Sequence, residues 1–439
     1  MTRHAALDLG ASSGRVVVAD VGPDLLVLQE IHRFPNGPVR RTDGLHWDAT
    51  ALFDQSVAGL AAAGGVDSIG IDSWAIDYGL IGEAGLLDQP WCYRDGRTDK
   101  VDLPLSRAQL FERNGLQHLP FTTVYQLAVE TRLPDARHLL LIPDLITYWL
   151  TGNVGCEITN ASTTGLLDVQ TREWAPDVLA AVGATERQLG PLVSPGADRG
   201  SYQGTPVVAV GSHDTASAFV GAPLTERAAC ISLGTWGLVG VELAAPVLTE
   251  AAFAASFTNE LGVDGTVRFL RNVMGLWVLQ QCMQDWGRVD LPALLTEAAA
   301  MSGVPLFDID DPSLLPPGDM PARVRALSGL TDPAAVVRSV VDSLVDALAR
   351  TVCEAGSLSG KEIDVVHVVG GGAQNALVCS SLADTLGLPV LAGPVEATAL
   401  GNVLVQARAL GTLVGGLPDL RDLVRATQRI VRYDPVGHR

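Results

Sequence analysis

Residues Gly211 to Phe219 read GSHDTASAF, and they follow directly on the apolar run Pro206 to Val210. That order places His213 and Asp214 where a buried strand gives way to a turn of small hydroxyl and methyl side chains. A carboxylate held at such a junction suits a fixed base, able to take the proton from an alcohol while a group is transferred to its oxygen. The neighbouring His213 and Thr215 can orient a polyol. The plainer reading is that Asp214 and Thr215 only cap a helix starting at Thr215, since Asp and Thr are common N-caps.

Outward toward the N-terminus, Ala5 to Asp20 contains LDLGASSGRVVV, a strand, a tight turn and a second β-branched strand. Gly10 and Gly14 would let a ligand approach the backbone, Ser12 and Ser13 offer hydroxyls, and Arg15 a cation. Such a turn can cradle phosphate, and Asp8 beside it could hold Mg2+ through water; otherwise it is an ordinary hairpin with a polar tip. A third strand is expected over Leu25 to His32, then a helix capped by Asp48 and closed by Gly64, then a strand ending at Asp72. Beyond it, Trp74, Ala75, Asp77 and Tyr78 place aromatics beside carboxylate, which suits a sugar, or serve as core and strand-end residues. The run Glu157 to Asp168, EITNASTTGLLD, reads as a turn with no assigned chemistry.

Toward the C-terminus, Ala229 to Glu242 reads ACISLGTWGLVGVE and repeats the opening pattern, with Leu233-Gly234-Thr235-Trp236 answering Leu9-Gly10-Ala11-Ser12. The echo suggests two homologous halves, each offering a hairpin to a phosphate tail. Asn272 is placed as the N-cap of a helix carrying Gln280. A long helix runs from Asp332-Pro333 to Ala355, stopped by Gly356. The strand Asp364 to Val369 then delivers Gly370, Gly371 and Gly372 to Asn375, the expected cap of the helix Ala376 to Leu386, making a backbone-donor site for anions or a base. A last long helix opens from GPVEATALGN and ends near Leu410.

Bulk properties frame this pattern. A chain of 439 residues, 47% hydrophobic and 18% charged, fits two well-buried domains, divided near Pro223 into 1–222 and 223–439. With 30 Lys and Arg against 49 Asp and Glu, the net charge is −19. No basic run tracks a nucleic-acid backbone. The first apolar segment is broken by Asp8 and Arg15, and no stretch is long enough to span a bilayer. The scattered cysteines, with no CxxC pair, read as core residues of a reducing compartment, so a cytoplasmic address is expected; the sequence leaves monomer or homodimer open.

Taken together, DLGASSGR at Asp8, SIGIDSWAIDYG at Ser68, YRDGRT at Tyr93, NASTTGLLD at Asn160, SHDTAS at Ser212, LGTW at Leu233, RNVMGLW at Arg271, VGGGAQN at Val369 and GPVEATALGN at Gly393 resemble the FGGY family of carbohydrate kinases, from about residue 5 to residue 412. The likeness is greatest to its members acting on L-rhamnulose. It implies an α/β fold of two actin-like, RNase H-like domains, with ATP and sugar in an interdomain active-site cleft, and γ-phosphate transfer to the 1-hydroxyl of a ketose. L-Fuculose or xylulose are the alternative substrates, and a non-catalytic actin-like ATP-binding protein is the alternative class. By resemblance, Asp214 is the base; His213, Thr215, Asn272, Trp74, Ala75 and Asp77 contact sugar. Ala11, Ser12, Ser13, Gly14 and Arg15 form the phosphate loop, with Thr235, Gln280, Gly370, Gly371, Gly372 and Asn375 as further nucleotide contacts. Two departures stand out: Trp74-Ala75 where Trp-Gly is usual, and SLGTWGLVG where Ser-Gly-Thr-Trp-Ser is commoner.

Overall fold

The structure is a computed structural model describing residues 1–287 and 290–436. Its strands are β1 (Thr2–Leu9), β2 (Ser13–Gly22), β3 (Leu25–Pro35), β4 (Ser68–Ser73), β5 (Asp198–Tyr202), β6 (Thr205–Val208), β7 (Ala228–Leu233), β8 (Trp236–Leu243), β9 (Val267–Met274), β10 (Val365–Val369), β11 (Val390–Ala392) and β12 (Val431–Tyr433), with shorter strands between them. The helices used below are α1 (Ala49–Ala63), α2 (Asp214–Gly221), α3 (Trp277–Trp286), α4 (Pro333–Ser359), α5 (Ala376–Leu386) and α6 (Ala397–Ala409).

The first sheet has the order β3-β2-β1-β4-β6-β5. Central β1 pairs antiparallel with β2 and parallel with β4, so Asp8 lies opposite Arg15 on one side and Asp72 on the other. Successive side chains of a strand face opposite ways. Ala5, Leu7 and Leu9 therefore join one core with Leu52 and Leu60 of α1, while Ala6 joins another with Leu400, Val403 and Leu404 of α6. Asp48 starts α1 as expected, accepting from Ala51 N at 2.9 Å.

The second sheet repeats the scheme with one strand more, the edge strand Thr258–Leu261 followed by β9-β8-β7-β10-β11-β12 in that order. Again a hairpin, β7-β8, is antiparallel, the strand beside it, β10, is parallel to β7, β11 is parallel to β10, and β12 runs antiparallel. The echo between the two LG turns is thus matched by the pairing of the strands around them.

The chain divides into two compact units, but not at one point. The first comprises Met1–Pro223 together with Glu242–Phe269 and Ala397–Gln428; the second comprises Leu224–Val241, Leu270–Glu396 and Arg429–Arg439. A boundary near 222 captures the first long segment and leaves out the two later ones. The physical reason is visible in α6, whose contact with α2 is made backbone to backbone. A Cβ on Gly401 would stand 1.8 Å from Ser217 O, and one on Gly221 would stand 2.0 Å from Ala397 O. Only glycine permits that approach.

Three local expectations are corrected. Helix α4 passes through Gly356 to Ser359 and closes at Gly360, which has φ 70°. Asn272 lies within β9, and Leu276 occupies the N-cap of α3. Of the cysteines, all of them free thiols, Cys353 is exposed and the other five are buried.

Candidate active site

Asp214 is the first residue of α2, and His213 holds the N-cap position without a side-chain cap bond. The capping account of Asp214 therefore loses its position, since the helix begins one residue earlier than that account requires. A carboxylate in the first turn is favoured by the helix dipole. Its side chain is 33% exposed, and Thr215 Oγ1 donates to Oδ1 at 3.0 Å. Burial pushes its acidity toward a higher pKa, His213 opposes that shift, and the charge of Asp8 adds to it. Those are the conditions of a proton acceptor.

The turn that carries Asp214 is fixed from below by Glu157. This fully buried carboxylate accepts from Ser212 N at 2.9 Å and Ser212 Oγ at 2.8 Å. It also accepts from Thr159 N at 3.0 Å and Thr159 Oγ1 at 2.5 Å. Burial raises its pKa, and these donors counter the rise. Within EITNASTTGLLD the sequence assigned no chemistry, yet Glu157 organises the loop. The isolated acid amid hydroxyl residues was the available signal.

Asp8 is bound by Arg15 through Nε at 2.9 Å and Nη2 at 2.6 Å. Asp72, in register beside it, is fully buried; Asn402 Nδ2 donates to its Oδ2 at 2.5 Å, and its Oδ1 has no hydrogen-bond partner. Burial and then the charge of Asp8 push Asp72 well above the usual carboxylate range. In the turn after β1, Asn36 donates its Nδ2 to Gly10 O at 2.8 Å, while Ala11 and Ser13 are half-buried and Ser12 is exposed. Gly14 proves to serve packing: a Cβ there would strike the Phe34 ring at 2.3 Å.

Trp74, Ala75 and Asp77 lie on the loop after β4. Trp74 is buried and packs on Trp47 with ring centroids 4.4 Å apart. Asp77 is fully buried, and its oxygens are taken by protein donors: Trp47 Nε1 at 2.5 Å, Trp74 Nε1 at 3.1 Å, Tyr93 N at 3.2 Å and Gln126 Nε2 at 2.9 Å. It holds both indoles in place. Burial lifts its pKa to about 6 against the pull of those donors. Between them, Ile76 has φ 69°, an unusual conformation for a β-branched residue that costs about 1–3 kcal/mol. Thr123 Oγ1 secures it by donating to Ile76 O at 2.6 Å.

In the second unit, the hairpin and the glycine run come together. Thr235 Oγ1 donates to Gln280 Oε1 at 3.3 Å, and Trp277 N to Thr235 O at 3.2 Å. A Cβ on Gly372 would stand 2.3 Å from Leu233 Cγ, and Gly370 has φ 81°. Gly371 has open space beside it. Asn375 caps α5 as expected, accepting from Val378 N at 3.2 Å. Asn272 is half-buried on β9.

Comparison with known proteins gives the family. The N-terminal domain model of the FGGY family of carbohydrate kinases matches residues 91–221, and the C-terminal domain model matches residues 229–410. The chain belongs to the FGGY family of carbohydrate kinases. Rhamnulokinase of Pectobacterium carotovorum is 42% identical, with 98% of this chain and 92% of that protein covered. Rhamnulokinase of Klebsiella pneumoniae strain 342 is 39% identical, with 99% and 95% covered. Among solved structures, gluconate kinase from Lactobacillus acidophilus gives a TM-score of 0.80 at 15% identity, covering 99% of this chain and 93% of that one. The ligand-bound xylulose kinase of the same organism gives 0.79 at 16%, covering 99% and 94%. These establish the actin-like two-domain α/β fold of FGGY kinases. No helix of the described residues is long and apolar enough to cross a membrane.

Proposed function

We propose that this chain transfers the γ-phosphate of ATP to the 1-hydroxyl of L-rhamnulose. The observation that carries the reading is Asp214 in the first turn of α2, its acidity weakened by burial and its side chain one-third open. The substrate rests on the rhamnulokinase relatives, about 40% identical over nearly the whole chain. The first unit would hold the sugar, with Trp74 and Ala75 beside it, Asp77 fixing the indole, and Thr215 as a polar contact. The second would hold nucleotide through Thr235, Gln280, Gly370, Gly371, Gly372 and Asn375. The turn from Ala11 to Arg15 faces phosphate oxygens.

A hard dication fits the donor set beside that turn. Asp8 and the unpartnered Oδ1 of Asp72 are carboxylate oxygens, the ligand type Mg2+ takes alongside nucleotide phosphates. Among the described residues no group of three or more metal-binding side chains forms an all-protein cage. When bound, Mg2+ would neutralise phosphate charge. Asp214 would accept the proton of the sugar 1-hydroxyl as that hydroxyl oxygen bonds to the γ-phosphorus and the bond from phosphorus to the departing ADP oxygen breaks.

Asp214→Asn tests the mechanism, since it preserves shape while removing the basic lone pair. Turnover should fall roughly 10²- to 10⁴-fold with the sugar dissociation constant changing far less. Near-normal turnover removes Asp214 from the reaction. ADP release over a ketose panel tests the substrate: L-rhamnulose should give the highest kcat/KM, and a lead of more than tenfold, about 1.4 kcal/mol, by L-fuculose or xylulose overturns that assignment alone.

A further inference from the structure

Behind Asp214 lies a charged pair with no role in the account above. Arg268, on β9, is wholly buried, and burial works against its charge while Glu260 supports it. Glu260 Oε2 stands 2.9 Å from Arg268 Nη1. The His213 ring sits between this pair and the base. Its Nδ1 is 3.3 Å from Arg268 Nη1 and 3.2 Å from Nη2, and 3.2 Å from Glu260 Oε2. Its Nε2 is 3.4 Å from Asp214 Oδ1. The guanidinium is itself anchored, Nη2 donating to Leu261 O at 3.1 Å.

A guanidinium can only donate and a carboxylate can only accept. Arg268 and Glu260 therefore demand opposite tautomers of His213. If Glu260 takes an Nδ1 proton, Nε2 turns a lone pair toward the Asp214 carboxylate, which repels it. If Arg268 donates to Nδ1, the ring proton sits on Nε2, 3.4 Å from Asp214 Oδ1. Two features choose the second arrangement. Both Arg268 contacts have hydrogen-bond alignment, whereas Glu260 Oε2 makes its contacts without such alignment and has the charge of Arg268 to balance.

We propose that the buried Arg268–Glu260 pair is a positioning device that holds His213 as the Nε2–H tautomer and thereby orients the Asp214 carboxylate. The Nε2–H group and Thr215 Oγ1 both approach Oδ1, so the oxygen presented to the sugar hydroxyl is Oδ2. Arg268 and Glu260 touch no reacting atom; they act through His213. The inference rests on Asp214 being the base.

The test reads the tautomer in the full-length wild-type protein by ¹⁵N correlation spectroscopy of labelled histidine. The chain has 8 histidines, and loss of one spin system in His213→Gln assigns the ring. Protonated Nε2 with bare Nδ1 is expected; a proton on Nδ1 overturns the proposal without any variant having to fold. Arg268→Met should move that proton toward Nδ1 and lower kcat roughly 10²-fold, the scale of a misplaced catalytic group, with the ketose KM changing far less. Arg268→Lys, which restores one donor, should recover part of the loss and is the kinetic comparison if the Met variant does not fold. Unchanged kcat in either folded variant overturns the positioning role. Wild-type protein inactive on L-rhamnulose would defeat the substrate reading instead, because the ring signal is read without turnover.

Discussion

Asp8 and Asp72 stand in register on neighbouring parallel strands, each answered by a different partner, Arg15 for the first and Asn402 for the second. Two buried like charges at adjacent positions are costly unless something positive lies between or beside them. Arg15 meets that need for Asp8, whereas Asp72 has only an amide donor. The remaining oxygen of Asp72 is therefore the place where added positive charge gains most.

From this, Asp72→Asn should raise the free Mg2+ needed for half-maximal phosphorylation by up to about tenfold, equivalent to ~1.4 kcal/mol. Mn2+ relaxation enhancement in the presence of ATP reads the same binding without turnover. An unaltered metal dependence by both measures would exclude Asp72 from the metal environment.

Asp77 gives a pH prediction. Its folded pKa of about 6 lies above the ordinary carboxylate value, so its stabilising contribution is complete below about pH 4 and is lost as pH rises through about 6. In Asp77→Asn, Asn cannot accept from all four donors, and the variant should melt lower at acid pH. The gap should then narrow by on the order of 2–3 kcal/mol between pH 4 and 7. Parallel stability curves for the two proteins would contradict the raised value.

Glu157→Gln exchanges an acceptor-only group for one whose amide must face N–H and O–H donors. Leaving such buried groups unpaired costs about 1–3 kcal/mol. The variant should melt lower, and turnover should fall more than nucleotide binding, because the loop it loosens carries Ser212 and, two residues on, Asp214. Equal loss of stability with full kcat per folded molecule would confine Glu157 to a structural role.

Gly401→Ala forces α6 away from α2. A Cβ 1.8 Å from Ser217 O has no room, and overpacking of this kind costs about 1–3 kcal/mol or more. Differential scanning calorimetry should show the loss; an unchanged melting temperature would mean that the helices separate freely.

Much of this was legible from residue order, and the limits have physical causes. The two hairpins, the Asp48 and Asn375 caps and the helix start at Pro333 depend on near neighbours, and they were found. What escaped depends on distance. Glu157 meets Ser212 across 55 positions, and nothing in either segment announces the other. Gly14 reads as a ligand-approach glycine until Phe34 is seen filling its space. Asp77 reads as a sugar acceptor until Trp47, Trp74, Tyr93 and Gln126 are found around it. The positive φ of Ile76 has no signature at all, because the residue is one that sequence rules keep out of that conformation.

The Asn402–Asp72 bond joins positions 330 residues apart, which sets a timetable for biosynthesis. Translation at about 5–20 residues per second leaves the nascent first unit without α6 for roughly 20–60 seconds after Asp72 is made. Throughout that interval the apolar face of β1 that carries Ala6, and the side of the helix bearing Asp214 that meets Gly401, lack α6 as a partner. A ribosome stalled anywhere before Ala397 would hold a unit without the helix that packs on β1 and α2, a natural client for chaperones.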